Sequence, residues 1–460
     1  MKNLKSLLLL LLISGSVFSG TKQDKEGEIQ RIFSKSVPVT ESTLIYLTNK
    51  FGDVSVKTWN ESKVDITATI KVSSDRKSAK DLKEYLDGIS ISVESSGSEL
   101  NITTNYPDWK SANISMSVDY SVIIPAKNSF TLENEFGDAK LTGIGGKLDA
   151  TISHGNLTVT DCKNENYMYN RFGDIVVKNI GAPSRIDGSN GNVKVEIVSG
   201  KLNVKDKFGS VTVKNVKGDL VLSSGNGDVT VSDISGSALI TNSFGSTEVE
   251  NIGKELTIES QNGDVDAINF QNGSINNSFG QVNAESVNGG GDFTINNQNG
   301  DIRLKSIKAN VEIRNSFAST KIKDITGSLK IKAQNCSVDI DQVSGKVDIE
   351  NSFGSVDLTN SGSDVEISNQ NGDITVEDVK KVGKLYDLSS SFGSVKLTVP
   401  SSILAVVHGE TSFGDIESDF DLRIKEKFNK ATMDGKIGSG SDTEIKLVSQ
   451  NASVYLMKQK

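Results

Sequence analysis

The chain has 460 residues, a formal net charge of −9, two cysteines and 6% aromatic residues. An acidic chain argues against nucleic acid as a partner, because surfaces that bind nucleic acid are strongly basic. Apart from one short apolar run near the N-terminus, no stretch is long and apolar enough to cross a membrane as a helix.

Residues 1–19 have the features of a secretory signal peptide. Lys2 and Lys5 give a positive start, residues 7–13 form an apolar core, and Val17-Phe18-Ser19 is a small-residue cleavage site. The apolar run is too short to span a bilayer, and the alternative is a buried N-terminal strand. We predict export to the periplasm, the outer-membrane surface or the medium. Loss of the two lysines would change the net charge from −9 to −11.

Residues 20–130 contain strand-like segments and one helix signal, but no regular period. Phe51-Gly52-Asp53 is an early copy of a unit that repeats later in the chain. We predict that this segment caps a solenoid, because the first coil of a solenoid exposes an apolar end and unpaired strand edges. Residues 120–125 would then lead into the regular coils.

The helix signal lies at residues 75–87. Ser74 or Asp75 is the expected N-cap, and Gly88 is the expected stop. The apolar stripe at helical spacing consists of Leu82, Tyr85 and Leu86.

Residues 131–400 repeat a short unit. A glycine recurs every eighteen residues from 137 to 263 and continues with small irregularities to 414. Ala318 and Cys336 occupy two of these slots, and Phe and Asn alternate at the residue in front of the slot. A fixed short period is typical of a solenoid, in which each repeat stacks on the next. The slot glycines are Gly137, Gly155, Gly173, Gly191, Gly209, Gly227, Gly245, Gly263, Gly280, Gly300, Gly354, Gly372, Gly393 and Gly414.

Apolar residues stand at fixed distances from the slot, at positions +2, +4, +7, +11 and +13. The spacing indicates two strands, each with one buried face, and a buried corner residue between them. After Gly209 the apolar residues are Val211, Val213, Val216, Leu220 and Leu222.

Two topologies fit this pattern: a parallel β-solenoid, or an antiparallel meander in which Asn-Gly is a hairpin turn. A type I′ hairpin needs positive φ at both central residues, which Phe tolerates badly, whereas a solenoid corner needs it only at the glycine. We therefore predict an all-β fold, a single-stranded parallel β-helix of about 18 residues per coil. Ala318 and Cys336 would sit at corners that are either strained or differently shaped.

Departures from the period mark loops and the end of the repeat. Residues 288–292 add two residues, and the coil after Gly372 adds three around 380–384; such insertions often carry binding functions. Residues 401–460 lose the spacing and are the expected C-terminal cap. Within them, 444–448 and 453–457 are expected closing strands, and 423–442 is an expected mobile loop.

Several features together resemble the bacterial putative-adhesin β-solenoid domain family, and are similar to autotransporter adhesin head domains. They are the N-terminal signal, the helix-bearing cap, the entry at Tyr120-Ser121-Val122-Ile123-Ile124-Pro125, the Phe-Gly-Asp and Asn-Gly-Asp units, and the closing Gln450-Asn451-Ala452-Ser453-Val454. The resemblance implies a right-handed β-solenoid in the cell envelope. It implies no functional residues.

An aspartate often follows the slot glycine and could form a calcium-binding ladder. Because the intervening coils mostly carry Ser or Gln, neighbouring aspartates would be about 10 Å apart, too far to share an ion. We favour a turn-stabilising role in which the carboxylate accepts from nearby backbone N–H groups. These residues are Asp138, Asp174, Asp228, Asp264, Asp301, Asp373 and Asp415.

The Phe in front of the slot could form an exposed aromatic stripe that stacks on sugar rings. We favour the alternative, a Phe packed against the corner in every second coil. The Asn in the same slot, and an Asn two residues before several of the Phe residues, would form amide ladders between coils. Members of the second group are Asn242, Asn277, Asn315 and Asn351.

The histidines and cysteines have structural rather than chemical interpretations. His154 and His408 each precede a glycine, which favours a turn residue over a ligand or base. Cys162 and Cys336 are too distant along the predicted solenoid for a disulfide, so two free thiols are expected, with Cys162 in the core at +7.

No set of ionisable residues is concentrated on one coil, as a polysaccharide lyase or hydrolase on a β-helix would need. We predict no enzyme, no catalytic, cofactor-binding or metal-binding residue, and no cofactor. The favoured hypothesis is an exported adhesin-like binding surface whose partner is a glycan or a cell-surface protein. The second is a structural or sensory periplasmic rod that contacts a membrane or a regulatory partner. The third is a carbohydrate-active enzyme.

Overall fold

The computed structural model describes residues 17–25, 27–107, 113–181, 183–438 and 442–459. Most of the predicted signal peptide lies outside these residues, and its last three residues begin the first strand. The chain divides into two compact units, an N-terminal unit that ends at Gly209 and a C-terminal unit that begins at Ser210.

The N-terminal unit contains one helix and strands β1 to β17. The elements are β1 Val17–Lys25, β2 Glu28–Pro38, β3 Leu44–Phe51, β4 Val54–Trp59, β5 Lys63–Ser73, α1 Ala79–Gly88, β6 Ser90–Ser96, β7 Glu99–Asn105, β8 Ser115–Pro125, β9 Phe130–Phe136, β10 Ala139–Thr142, β11 Leu148–His154, β12 Leu157–Thr160, β13 Asn166–Phe172, β14 Ile175–Ile180, β15 Ser184–Asn190, β16 Val193–Val198 and β17 Leu202–Phe208.

Each coil of this unit gives one strand to each of two sheets. The first sheet has the spatial order β1-β2-β5-β8-β4-β10-β12-β14-β16, and is antiparallel from β1 to β8 and parallel from β8 onward. The second has the order β6-β7-β3-β9-β11-β13-β15-β17, with β6 alone antiparallel to its neighbour. Parallel pairing of each residue with the residue eighteen later, such as Leu148 with Asn166, confirms the solenoid over the meander.

The coils at the beginning of the unit do not follow chain order. The early copy of the repeat, β3 and β4, stacks directly on β9 and β10. Residues 120–125 end β8, which leads in the chain to β9 as expected; in space β8 pairs with β4, on the side away from β10. Residues 44–59 fit there because they carry the same corner sequence as the regular coils.

Helix α1 confirms the predicted helix and corrects both of its ends. Ser78, not Ser74 or Asp75, is the N-cap, and it forms a capping box with Asp81. Gly88 is the last helical residue rather than the stop. Leu82 and Leu86 are fully buried, and α1 packs against β2 and β5. Arg31 on β2 donates to the carbonyl oxygen of Ile89 at 2.7 Å, which fixes the end of the helix.

The C-terminal unit contains strands β18 to β44. They are β18 Val211–Val216, β19 Leu220–Asn226, β20 Val229–Ile234, β21 Ala238–Phe244, β22 Thr247–Ile252, β23 Glu255–Asn262, β24 Val265–Phe270, β25 Asn272–Phe279, β26 Val282–Val287, β27 Asp292–Asn299, β28 Ile302–Ile307, β29 Asn310–Phe317, β30 Thr320–Ile325, β31 Leu329–Asn335, β32 Val338–Val343, β33 Val347–Phe353, β34 Val356–Ser361, β35 Val365–Asn371, β36 Ile374–Glu377, β37 Leu385–Ser390, β38 Val395–Val399, β39 Ala405–Thr411, β40 Ile416–Ser418, β41 Arg423–Lys427, β42 Lys430–Ile437, β43 Thr443–Ser449 and β44 Val454–Lys458.

Regular coils run from β18 to β38, with even-numbered strands in one parallel sheet and odd-numbered strands in the other. The side chains at the predicted apolar positions are buried, so the core is a column of Val, Ile and Leu. In the coil after Gly209, the five apolar residues from Val211 to Leu222 are each at most 1% exposed. The two predicted insertions form the connections between β26 and β27 and between β36 and β37.

The last coil is inserted out of chain order. Strand β43 pairs in parallel with β37 on one side and β39 on the other, and β44 lies in the same way between β38 and β40. Both closing strands are thus confirmed. The expected mobile loop at 423–442 is wrong for residues 423–437, which form the antiparallel hairpin of β41 and β42; residues 439–441 lie outside the described residues. Ala431 and Met433 are buried on one face of β42. Strand β42 also pairs with β39, in antiparallel orientation.

Candidate functional site

At most of the slot corners, glycine is required for two separate reasons: a positive φ and the lack of space for a Cβ. Gly155 has a φ of 138°, and a Cβ at this position would lie 2.2 Å from the carbonyl oxygen of Gly137. Two slots have no glycine, and a strained or differently shaped corner was predicted for each. Ala318 keeps a left-handed φ of 86°, which is strained, whereas Cys336 has no positive φ, so its corner has a different shape. Among the described residues, no Phe or Asn in front of a slot glycine has positive φ.

Buried asparagines brace the same corners from inside. The Nδ2 of Asn242 donates to the carbonyl oxygens of Gly227 at 3.3 Å and Gly245 at 3.0 Å, which lie on successive coils. The slot asparagines also join coils, as Asn262 does by donating to the carbonyl oxygen of Ser243. Both groups of asparagines thus donate to backbone carbonyl oxygens. The predicted ladders of side-chain amides do not form at these positions.

Aspartates after the slot glycine have the predicted turn-stabilising role. Their carboxylate oxygens accept hydrogen bonds from backbone N–H groups of the next coil. Asp228 accepts from the backbone N–H of Ser246 at 2.9 Å, and Asp301 accepts from that of Ser319 at 3.0 Å. This hydrogen bond is the main cause that holds the pKa of Asp301 below its ordinary value. In the N-terminal unit, Asp174 accepts from the N–H of Asn192 in the same way.

A second corner, six residues after the slot, was missed by the sequence reasoning. The residue there has left-handed φ, and it is usually Asn or Asp, which tolerate this region best. Side-chain amide ladders do occur here: Asn269 donates to Asn251 at 2.7 Å, and Asn251 donates to Asp233 at 3.0 Å. The eighteen-residue recurrence of Asn and Asp was the available signal.

The slot phenylalanines are exposed, and the prediction that they pack against the corner is wrong. At four of these corners in the C-terminal unit, the buried side is already occupied by the Asn two residues earlier, so the ring turns outward. We call the resulting row the aromatic edge. Its members are Phe244 (51% exposed), Phe279 (53%), Phe317 (49%) and Phe353 (50%).

The aromatic edge repeats every second coil. Phe244 is paired in register with Asn262, and Asn262 with Phe279, so successive rings are two strand spacings apart, about 10 Å. The slot Asn between two rings donates its amide N–H to a backbone carbonyl, as described for Asn262. The edge is therefore an alternation of apolar rings and amide groups.

Polar grooves of about 490 and 530 Å³ lie beside this edge. Their walls include Ser278, Ser316 and Ser352, each directly before a Phe of the edge. In the first groove, Asn296 donates to Asn276 at 2.7 Å, and Arg314 donates to Asn296 at 3.4 Å. The residues before the slot Asn are glutamines, and they line the grooves as well: Gln261, Gln298, Gln334 and Gln370.

The Ser and Gln alternation runs in step with that of Phe and Asn, and this signal could have located the grooves from sequence. The grooves and the edge together form the candidate site. They present hydroxyl and amide groups, the carboxylates of Glu259 and Glu350, the ammonium group of Lys332, the guanidinium of Arg314 and a row of apolar rings.

Both histidine interpretations need correction. His154 is not a left-handed turn residue; it ends β11 and its ring stacks between Phe136 at 4.6 Å and Phe172 at 4.7 Å. His408 lies within β39 and its Nδ1 is 2.7 Å from Asp434 on β42. His154 replaces a slot Phe, whereas His408 lies in the middle of a strand. The His-Gly dipeptide that they share does not distinguish these two surroundings.

Both cysteines are free and buried, as predicted. Cys162 fills the core at +7, and burial raises the pKa of its thiol to about 11. Cys336 is buried at its corner, and burial also raises its pKa.

No arrangement suited to metal binding is present in the described part of the chain, where no three His, Cys, Asp or Glu side chains are grouped. A third groove, of about 440 Å³, is lined by Arg303 and Lys305, whose charges are paired with Asp301 and Glu285. Asp206 has the largest carboxylate shift: burial raises its pKa to about 6. The shift comes from burial, and no neighbouring charge contributes to it.

Comparison with known proteins finds a family model that matches part of the chain. Residues 286–454 match the family described as Toastrack DUF4097, in agreement with the β-solenoid resemblance. One solved structure with similarity is a "putative cell adhesion protein" from Clostridium sporogenes ATCC 15579, which is 10% identical, covers 95% of this chain and 100% of its own, and has a TM-score of 0.18. No curated protein matches. Within the described ranges, no helix is long and apolar enough to span a membrane.

Proposed function

We propose that this chain is an exported, non-enzymatic β-solenoid that acts as an adhesin-like binding surface in the bacterial cell envelope. The observation that supports the proposal is the aromatic edge. Four phenylalanine side chains stay about half exposed at regular spacing, although burial of each would favour folding. Exposed apolar groups in a regular array indicate a surface that contacts a partner.

The chemistry of the edge favours a glycan. The apolar face of a sugar ring can lie against an aromatic ring, while its hydroxyl groups need hydrogen-bond partners. Phe279 and Phe317 supply the first contact, and the amides of Asn296, Gln298 and Gln334 supply the second in the adjacent grooves. A purely apolar partner would leave these amides without hydrogen bonds, at a cost in affinity.

The test uses the alternation of the chain itself. Since Asn occupies the slot in every other coil, Phe279→Asn, Phe317→Asn and Phe353→Asn together should leave the fold intact. We expect the wild type to bind members of a panel of cell-wall and host-matrix glycans, and the triple variant to lose that binding. Binding is measured by titration calorimetry on soluble fragments and by retention on immobilised polysaccharide.

Matched controls remove exposed apolar groups that lie away from the edge. Leu239→Thr and Ile268→Thr delete side chains that are 42% and 44% exposed on outer sheet faces. They should bind as the wild type does. Absence of binding to every glycan, or equal loss in the controls, would contradict the proposal.

Export is supported by the composition of residues 1–19 alone. Separation of periplasm, outer membrane and medium after expression tests it, and retention of the chain in the cytoplasm would overturn it. A carbohydrate-active enzyme would instead turn over an oligosaccharide panel, and we expect no turnover.

A further inference from the structure

The tip of the hairpin of β41 and β42 has features that the coils do not explain. Lys427 pairs with Lys430, so Phe428 and Asn429 form a two-residue loop. The side chain of Phe428 is 99% exposed. Strand β41 is the last strand of its sheet in the C-terminal unit, and all five of its residues are exposed.

Phe428 also has an unfavourable backbone. Its φ is 53°, while Asn429 has no positive φ. A two-residue hairpin loop with positive φ at the first position usually has Gly there, because a side chain is strained in this region. The backbone strain at Phe428 lowers stability, no burial of the ring offsets it, and strained sites tend to be functional.

The charges around Phe428 are unusual for this chain. Residues 423–430 contain four basic residues and one acidic residue, a net charge of +3, in a chain whose net charge is −9. Lys427 and Lys430 stand directly opposite each other, and like charges in this position are destabilising. Lys430 is paired with Glu410 at 2.6 Å, whereas Lys425 and Lys427, also close to the tip, form no ion pair with any residue that the structure describes.

Protection of the sheet edge explains only part of this arrangement. Lysines on a terminal strand discourage pairing with another chain, and Lys425 and Lys427 serve that purpose on β41. A fully exposed Phe at the end of the same hairpin has the opposite effect, since it adds an apolar contact point. An apolar tip at Phe428 with Lys425 and Lys427 beside it matches the surface of a membrane with anionic lipids. There an aromatic ring enters the headgroup layer and lysines approach the phosphates.

We propose that the hairpin tip, residues 425–430, is a docking site for an anionic lipid surface. Phe428 inserts between headgroups, and Lys425 and Lys427 bind lipid phosphates. The proposal concerns a different surface from the aromatic edge and does not depend on glycan binding.

The experiment measures co-sedimentation of the full chain with vesicles. Vesicles that contain one third phosphatidylglycerol should bind it, and vesicles of phosphatidylcholine alone should not. Phe428→Gly is the informative variant, because Gly suits the backbone and the hairpin should fold at least as well as before. We expect about a tenfold loss of vesicle binding for Phe428→Gly, and about a fivefold loss for each of Lys425→Gln and Lys427→Gln at low salt.

The control is Phe413→Ala, which removes another exposed Phe, 65% exposed, outside the hairpin. It should bind vesicles as the wild type does. Equal binding by Phe428→Gly, or equal binding to neutral vesicles, overturns the proposal. If Phe428→Gly instead abolishes self-association in sedimentation velocity while vesicle binding is absent, the tip contacts a second copy and the lipid proposal is wrong. Glycan binding is measured separately, so the failure of one proposal leaves the other unaffected.

Discussion

Asp206 occupies a position where other coils of the N-terminal unit have a buried asparagine. In one of these, Asn170 donates to the carbonyl oxygens of Gly155 at 2.8 Å and Gly173 at 3.0 Å. An ionised Asp cannot donate, and neither oxygen of the Asp206 carboxylate has a well-formed hydrogen bond. Only the protonated acid can replace the asparagine, which agrees with the raised pKa.

We therefore predict a pH-dependent stability that Asp206→Asn abolishes. The pKa of about 6 in the folded chain lies above the ordinary 3.8, so the stabilisation is complete below pH 3.8 and is lost as the pH rises through 6. The difference corresponds to up to about 3 kcal/mol in the free energy of unfolding at pH 7. Thermal unfolding followed between pH 4 and 8 measures it.

The reciprocal variant, Asn170→Asp, is the control. It should lose the hydrogen bonds of the Asn170 amide at pH 7, and its stability should fall as the pH rises. Equal pH dependence in the wild type and in Asp206→Asn would show that Asp206 is not the titrating group.

Ala318 offers a second test at the scale of one residue. Its φ of 86° is costly for a residue with a Cβ, so Ala318→Gly should raise the free energy of unfolding by about 1 kcal/mol, in contrast to the usual effect of Gly. Ala333→Gly, at a buried strand position with ordinary φ, should lower it. Denaturant titration compares them, and destabilisation by both would refute the strain at residue 318.

Among the elements, helix α1 shows how much local sequence can predict. Its existence and its apolar stripe followed from spacing, while its start was placed at the wrong serine. Ser78 with Asp81 three residues later is a capping box, and this pattern is stronger than Ser74 or Asp75 alone.

The capping box predicts the effect of mutation. Ser78→Ala should lower stability by about 1 kcal/mol, because the side-chain hydrogen bonds between Ser78 and Asp81 are lost. Asp75→Ala, at the position first expected to cap the helix, should change stability by less than about 0.5 kcal/mol. Chemical denaturation measures both variants. A larger loss of stability for Asp75→Ala than for Ser78→Ala would indicate that Asp75 is the N-cap.

The regular coils could be predicted because every coil presents the same apolar positions and a corner glycine. The orientation of Phe244 could not, because it depends on whether Asn242 already fills the corner, and period-two alternation places both residues on one face. The order of the end coils could not be predicted either. The period states which segments make coils, while the neighbour that a segment pairs with depends on contacts distant in sequence, as for β4 with β10 and β43 with β37.

For the molecule as a whole, the two free thiols give a simple test. Cys162 and Cys336 are each 1% exposed, and burial raises both pKa values, which suppresses the reactive thiolate. We expect no reaction with a thiol reagent at pH 8 in the folded protein, and two equivalents in guanidinium. Non-reducing and reducing gels should agree, and a shift between them would contradict the free thiols.

The inserted coil of β43 and β44 has a consequence for synthesis on the ribosome. A nascent chain that has emerged as far as residue 437 contains β37 and β39 but not the strand that separates them. Until residues 443–458 are translated, β37 and β39 lack the strand that each pairs with in the folded chain, and the backbone groups on those edges have no partner there. A chain terminated before residue 443 would keep these unpaired edges, which chaperones and proteases can recognise.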